Sequence, residues 1–381
     1  MNFLRKYIDK IKPNFQEGGK LKMFHSTFDA FETFLFVPND VTKKGSHIRD
    51  SIDLKRTMIF VVIALVPALL FGIYNVGYQH FLSHGESVGF WQMFFYGFMK
   101  VLPIIVVSYV VSLTIEFAAA QIKGHPLNEG VLVTGILIPM IMPPDIPLWM
   151  VAVATAFSII FAKEVFGGTG MNFLNPALVA RAFIFFAYPS AISGDKVWIA
   201  EKADAFSGAT SLAQASAHEF DKIASVQDLM IGFVPGSIGE TSKIAIIIGA
   251  IILIYVGIGS LRIILSSIVG LLSTALLFNA VGLNPYMDMP FYYHLLFGGF
   301  LFGAVFMATD PVSASQTAKG KIIYGFLIGV ITVLIRVVNP AYPEGTMLAI
   351  LLMNVFAPLI DYYVVDANVK RRLKRVKVSN N

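Results

Sequence analysis

A succession of ten apolar runs of near-spanning length constrains this chain more than any other feature. A helix needs about 20 apolar residues to cross the hydrocarbon of a bilayer. The first run extends from Thr57 to Tyr74, the second ends near Ala119, and the next three are Gly130 to Met142, Trp149 to Phe161 and Pro176 to Tyr188. After a polar stretch from Pro189 to Ser242 come Ile244 to Gly257, Leu261 to Val281, Tyr292 to Ala308, Ile322 to Val338 and Met347 to Val364. Composition agrees: of 381 residues 56% are hydrophobic and only 14% charged, against about 45–50% and roughly 25% in soluble domains. The expected fold class is an all-α polytopic membrane protein with about ten transmembrane helices.

The start does not read as a cleavable signal peptide, because Met1 to Arg56 is polar and Lys-rich with no apolar h-region. Orientation follows from Lys and Arg, which are retained in the cytoplasm. Alternate connections hold Lys123, Lys163, Arg262, Lys319 and Lys321, and the tail from Lys370 to Lys377 is strongly basic; the opposite loops around His80 to Ser87, Pro143 to Pro147 and Gly282 to Met289 carry none. Both termini are therefore expected in the cytoplasm. The expected organisation is a cytoplasmic segment (1–56), a five-helix membrane unit (57–188), a periplasmic loop (189–243), a second five-helix unit (244–365) and a basic cytoplasmic tail (366–381). Two charges fit this scheme poorly: Arg336 falls at an outer helix end, and Lys100 suggests a separate interfacial helix ahead of the true second span. The net charge of +5 reflects retention signals and contact with anionic membrane lipid rather than nucleic acid.

Five runs on each side of the polar stretch suggest an internal repeat. Gly130-Val-Leu-Val-Thr-Gly135, running into Pro139 and Pro143, lines up with Gly298-Gly-Phe-Leu-Phe-Gly303, running into Asp310 and Pro311. Each is the third segment of its half. An odd number of crossings per half makes the two repeats inverted. Ordinary Gly-rich helix packing is the alternative.

Redox or transport chemistry has to be sought without the usual ligands. Cysteine is absent, which excludes disulfides and thiolate-held clusters within the chain. The histidines are scattered, with no metal-ligand spacing. The most informative motif is Asp204-Ala-Phe-Ser207-Gly208-Ala209-Thr210. A threonine hydroxyl flanked by Gly and Ala is sterically open, so a modifying enzyme could join it to an activated phosphate as a phosphoester; a plain polar loop is the alternative. Around it stand Lys163-Glu-Val-Phe-Gly-Gly-Thr-Gly170, Asn172-Phe-Leu-Asn-Pro-Ala177, Arg181-Ala-Phe-Ile-Phe-Phe-Ala-Tyr-Pro189, Pro235-Gly-Ser-Ile-Gly239, Met307-Ala-Thr-Asp-Pro-Val-Ser-Ala314 and Arg336-Val-Val-Asn-Pro-Ala-Tyr-Pro-Glu-Gly345.

Taken together, these strings resemble the B subunit family of the bacterial sodium-translocating NADH:quinone oxidoreductases, and the resemblance runs from the N-terminal segment to the basic tail. It implies FMN bound covalently to Thr210 through a phosphoester, with Asp204, Ser207, Gly208 and Ala209 completing the motif read by a flavin transferase. It further implies a noncovalent riboflavin, a quinone site, five partner subunits in a six-subunit complex of the inner membrane, and an inverted-repeat fold like that of urea and ammonium channels. The function so implied is a redox-driven sodium pump subunit that relays electrons from NADH, oxidised on a partner, to ubiquinone or menaquinone. A related family, the D subunit of Rnf ferredoxin:NAD oxidoreductases, begins near its first membrane helix; about fifty polar residues precede it here, including His47-Ile-Arg-Asp-Ser-Ile-Asp-Leu-Lys55. A stand-alone solute channel would account for broken helices but not for the threonine motif.

Ionisable residues in or beside membrane segments are costly and are functional candidates. For the ion pathway these are Glu116, Asp361, Asp310 and Glu129, with Glu164 nearby; the first two also match family carboxylates. Glu116 and Asp361 could instead pair with the basic tail near Lys370 or Arg371. Asp310 and Glu129 read equally as turn and helix caps. For riboflavin the candidates are Asn175 and Arg181, although Asn175-Pro176 also reads as a helix start.

Overall fold

The computed structural model describes residues 2–15, 54–123, 130–192, 197–204, 206–339 and 342–378, with isolated positions between 19 and 48. A short amphipathic helix, α1 (Asn2–Ile11), precedes the first membrane segment. The first half then contains α2 (Leu54–His84), α3 (Phe90–Lys123), α4 (Gly130–Met140), α5 (Leu148–Ser158) and α6 (Pro176–Ala187). α5 runs on through a π turn (Ile159–Lys163) and a 3-10 turn (Glu164–Phe166). The loop carries α7 (Pro189–Ile192), α8 (Ser211–Ser216) and α9 (Val226–Ile231). The second half contains α10 (Lys243–Val256), α11 (Leu261–Val281), a broken segment of α12 (Tyr293–Leu296), α13 (Phe300–Phe302) and a π turn (Gly303–Met307), then α14 (Ala318–Val338) and α15 (Thr346–Val378). No strand occurs among the described residues.

Six of these helices are long and apolar enough to cross a membrane, and three shorter apolar ones accompany them. Exposed large apolar side chains lie along their outer faces, such as Ile59, Ile63, Val66 and Leu70 on α2 and Leu265, Val269 and Leu276 on α11. Such faces would aggregate in water and suit lipid. Packing order recurs between the halves. In each, the second segment packs on the fourth (α3 on α5, α11 on α14) and the fourth on the fifth (α5 on α6, α14 on α15). In each, the third touches the first and the fifth: α4 meets α2 and α6, and the π turn after α13 meets α10 and α15. The halves join through α2 against α10 and α6 against α15.

Both poorly fitting charges have local explanations. α3 is one continuous 34-residue helix, about 51 Å long at 1.5 Å per residue, so its first turns project beyond a hydrocarbon core of about 30 Å. The separate interfacial helix expected at Lys100 does not exist. Lys100 instead pairs with Glu201 of the long loop, which also accepts from the Tyr96 hydroxyl at 2.8 Å. Arg336 is fully enclosed, and its guanidinium donates to the carbonyls of His294, Phe297 (3.0 Å) and Glu344 (3.1 Å). A helix broken within the membrane leaves carbonyls that water cannot reach. Arg336 supplies their donors, and this is why a charge sits at that helix end. The basic tail continues α15 as helix to Val378.

The α11–α14 pair depends on close backbone approach. A Cβ built on Gly329 would lie 2.1 Å from the Ser267 carbonyl oxygen, so Gly329 lets the two helices touch. Replacing it with Val should cost about 1–3 kcal/mol through overpacking and lower the thermal midpoint of the purified protein. The lipid-facing Leu334→Ala should leave that midpoint nearly unchanged.

Candidate functional site

Two polar cavities sit where segments are broken or capped. The first is built around Thr210. A turn closed by the Phe206 amide on the Ala203 carbonyl (3.1 Å), with the Lys202 ammonium donating to the Phe206 carbonyl (3.0 Å), presents the motif. Asp204 and Ser207 are exposed, Gly208 is buried and Ala209 is half-buried. Thr210 is the N-cap of α8, its Oγ1 accepting from the Ala213 amide at 3.2 Å. Thr210 lines a cavity of about 130 Å³ together with Arg181, Trp198, Glu240, Lys243 and Glu344.

Charge in this cavity is tightly held. Arg181, 5% exposed, donates to Ser237 Oγ at 3.0 Å and to Glu344 Oε2 at 2.9 Å, and lies 5.6 Å from the Trp198 ring centre. Lys243 donates to the carbonyls of Glu240 (2.8 Å) and Gly298 (3.0 Å). Glu240 is tucked against Gly299, where an added Cβ would lie 2.4 Å from its carboxylate. Burial, reinforced by the negative charge of Glu344, pushes the Glu240 carboxyl up to about 7, although Arg181 and a Ser237 hydrogen bond favour its ionised form. When Glu240 holds its proton, Arg181 and Lys243 outweigh Glu344 and the cavity favours an anion. Thr241, 4% exposed and lining the same space, has a hydroxyl without a hydrogen-bond partner among the described residues. An isoalloxazine ring with its phosphate chain is what such a mixture of apolar wall, cations and a spare hydroxyl suits.

The second cavity lies between the halves and is lined by Thr134, Lys163, Thr169, Asn172, Asn175 and Asp310, with apolar walls that include Leu137 and Phe306. Asn175 caps α6, its Oδ1 accepting from the amides of Ala177 (3.0 Å) and Leu178 (3.3 Å). Asp310 accepts from the Val312 amide (3.1 Å) and the Ser313 hydroxyl (2.8 Å), as a cap of its own turn. Arg181 and Asn175, both expected near riboflavin, therefore face different cavities, and Arg181 joins Thr210.

The other carboxylates are engaged. Glu116, 3% exposed, is held by the Lys163 ammonium at 2.5 Å. Asp361 accepts from Ser315 Oγ (2.7 Å), the Gln316 amide (2.7 Å) and Thr317 Oγ1 (2.6 Å), which docks α15 onto the start of α14. These partners, rather than the basic tail, hold the two carboxylates; Lys370 pairs with Asp366. Glu164 pairs with Lys123 at 2.8 Å. Glu129 lies outside the described residues. Glu240, Lys243, Glu344 and Trp198 escaped sequence reasoning. Glu240 directly follows Pro235-Gly-Ser-Ile-Gly239, and Glu344 lies within the Arg336 to Gly345 string, so the signal was present without a partner to pair it with.

These features define a polytopic helical membrane protein in which a loop threonine and the breaks in short helices frame two polar cavities. The chain belongs to the NQR2, RnfD, RnfE family, whose profile matches residues 41–370. It is 48% identical to the B subunit of the Na(+)-translocating NADH-quinone reductase of Chromohalobacter salexigens, across 98% of this chain and 96% of the relative. It is 47% identical to the subunits of the same name from Ectopseudomonas mendocina and Azotobacter vinelandii, across 98% of this chain and 99% of each relative.

The raised pKa of Glu240 generates a pH prediction. A carboxyl that binds its proton more tightly when folded contributes stability that is lost as pH rises from the ordinary glutamate value of 4.5 toward about 7. Glu240→Gln should flatten the fall in thermal midpoint across that window, read by nanoscale fluorimetry in detergent. An unchanged slope would show that Glu240 ionises freely.

Proposed function

We propose that this chain is the flavin-bearing membrane subunit of a redox-driven sodium pump, a six-subunit NADH:quinone reductase of the bacterial inner membrane, with FMN joined covalently to Thr210. The observation that carries the reading is the place of Thr210 in the lining of a cavity furnished with Arg181, Trp198 and Lys243. The family and its named relatives support the wider assignment. A flavin held there would supply the electron-carrying chemistry that this chain's own side chains lack.

The chain's residues would do the following. The exposed Asp204 and Ser207, with Gly208 and Ala209, present the threonine to a flavin transferase. Thr210 Oγ1 becomes the ester oxygen, and as N-cap it keeps an acceptor lone pair for the Ala213 amide. Arg181 and Lys243 balance negative charge on the cofactor, the Thr241 hydroxyl offers a hydrogen bond, and the Trp198 ring walls the slot. In the second cavity Asn172, Asn175 and Thr169 are the polar edge we assign to a noncovalent riboflavin, with Asn175 already committed to its cap. Ion passage is assigned to the carboxylates Glu116, Asp361 and Asp310, and to Glu129. The recurring packing order supports two inverted five-helix repeats (57–188 and 244–365) with both termini in the cytoplasm. NADH oxidation belongs to a partner subunit and quinone is the final acceptor, so the chain is inactive alone.

Co-expression with a flavin transferase tests this directly. Wild-type protein should carry one FMN adduct by intact mass and fluoresce in a denaturing gel, and Thr210→Ala should lose both completely. An unmodified wild type beside a transferase active on another substrate would overturn the assignment.

A further inference from the structure

Hydroxyls on membrane helices ordinarily satisfy themselves by donating to a carbonyl one turn back. Here Thr114, Thr134, Ser267, Thr274 and Thr332 do so, at 2.6–3.1 Å. Four others do not. Ser108 and Ser112 on α3, and Thr155 and Ser158 on α5, are completely enclosed, and none of their hydroxyls has a hydrogen-bond partner among the described residues.

All four lie on one pair of packed helices, α3 and α5, joined at the Glu116–Lys163 contact. Ser108, Ser112 and Glu116 recur every four residues and so share one face of α3. Thr155, Ser158 and Lys163 follow each other down α5 and its π turn. The two helices pack together, with both ends in register: Lys163 meets Glu116 at one end, and Glu201 sits beside Lys100 and influences Asp145 at the other. They therefore run parallel. At 1.5 Å per residue, Ser112 and Ser108 lie about 6 and 12 Å along the axis from Glu116, and Ser158 and Thr155 about 7 and 12 Å from Lys163. Each hydroxyl on α3 thus has one on α5 at its own level, and the track ends at a buried carboxylate.

Oxygen donors leading to a single carboxylate suit a hard cation and repel an anion. One ammonium now neutralises Glu116; a singly charged ion that replaces it leaves Glu116 neutralised, and the displaced Lys163 ammonium turns to Asp310, which lines the same cavity. We propose that the α3–α5 seam binds a dehydrated monovalent cation through Ser108, Ser112, Thr155 and Ser158 and delivers it to Glu116, where it exchanges with the ammonium of Lys163. This rests on the sodium-transport reading above and deepens it by assigning the ion a route that meets the second cavity only at Lys163.

Ser112→Cys in the complete complex provides the test, because this chain has no cysteine of its own. The probe is a small cationic methanethiosulfonate, read as added mass on this chain, with Na⁺ or choline as the protecting salt. We expect labelling that Na⁺ slows and choline does not, and none at Thr332→Cys, which is equally buried but self-satisfied. Adding Ser158→Ala should raise the Na⁺ needed for half-protection by about fivefold, the worth of one hydrogen bond. No labelling would mean a dry helix contact, and labelling without Na⁺ protection a water-filled crevice; either overturns the proposal. Flavin on Thr210, measured on the same samples, reports folding and separates failure of the seam from failure of the wider reading.

Discussion

Every backbone N–H and C=O placed inside a bilayer must find its partner within the protein, and the rest of this structure depends on that constraint. Long uninterrupted helices meet it through their own ladders, as α11 and α14 do. Broken ones cannot. The eighth segment stops at Phe297, and its open carbonyls are closed by Arg336, a charge brought from a neighbouring helix for that purpose. Asp361 does the complementary task for the amides at the start of α14. Breaking a helix is therefore expensive, and the polar groups that offset the cost are what make the cavities possible.

The two cavities differ in how their charges are settled. Around Thr210, Arg181 is split between Ser237 and Glu344, Lys243 is spent on backbone carbonyls, and Glu240 gains least from ionising. That leaves a surplus of positive potential facing the threonine, as a phosphorylated cofactor would require. In the second cavity Lys163 is already committed to Glu116, and Asn175 and Asp310 are held by caps. On the proposed reading this cavity takes the uncharged ring and the Thr210 cavity the phosphorylated one, the two being distinguished by whether the cations have spare charge.

Much of this was legible in the sequence, and the reasons for success and failure are physical. Apolar run length marked the six helices long enough to cross a membrane, because the bilayer imposes a minimum length, and Pro176 after Asn175 marked the start of α6 correctly. Asp310 behaved as the turn cap its Pro311 neighbour suggested. Lys100 misled because charge alone does not show that a helix extends past the membrane; only its long-range partner Glu201 does. The candidate residues were found singly, but their grouping was not. Arg181 and Thr210 are 29 positions apart, and Glu240 and Glu344 lie farther still, so no local pattern announces that they line one space. Glu116 could be singled out as a buried acid, whereas its pairing with Lys163, 47 positions away, depends on how α3 and α5 pack.

On the proposed reading, Arg181 acts electrostatically on a flavin held at Thr210. A potentiometric titration of the Thr210-linked flavin in the assembled complex, comparing wild type with Arg181→Gln, tests it most directly. The guanidinium should stabilise the negative charge gained on reduction, so the variant's midpoint potential should fall by about 30 mV or more, equivalent to roughly 1.4 kcal/mol for a two-electron couple. Equal potentials, with flavin still attached in both proteins, would contradict the account and place the flavin ring away from this cavity.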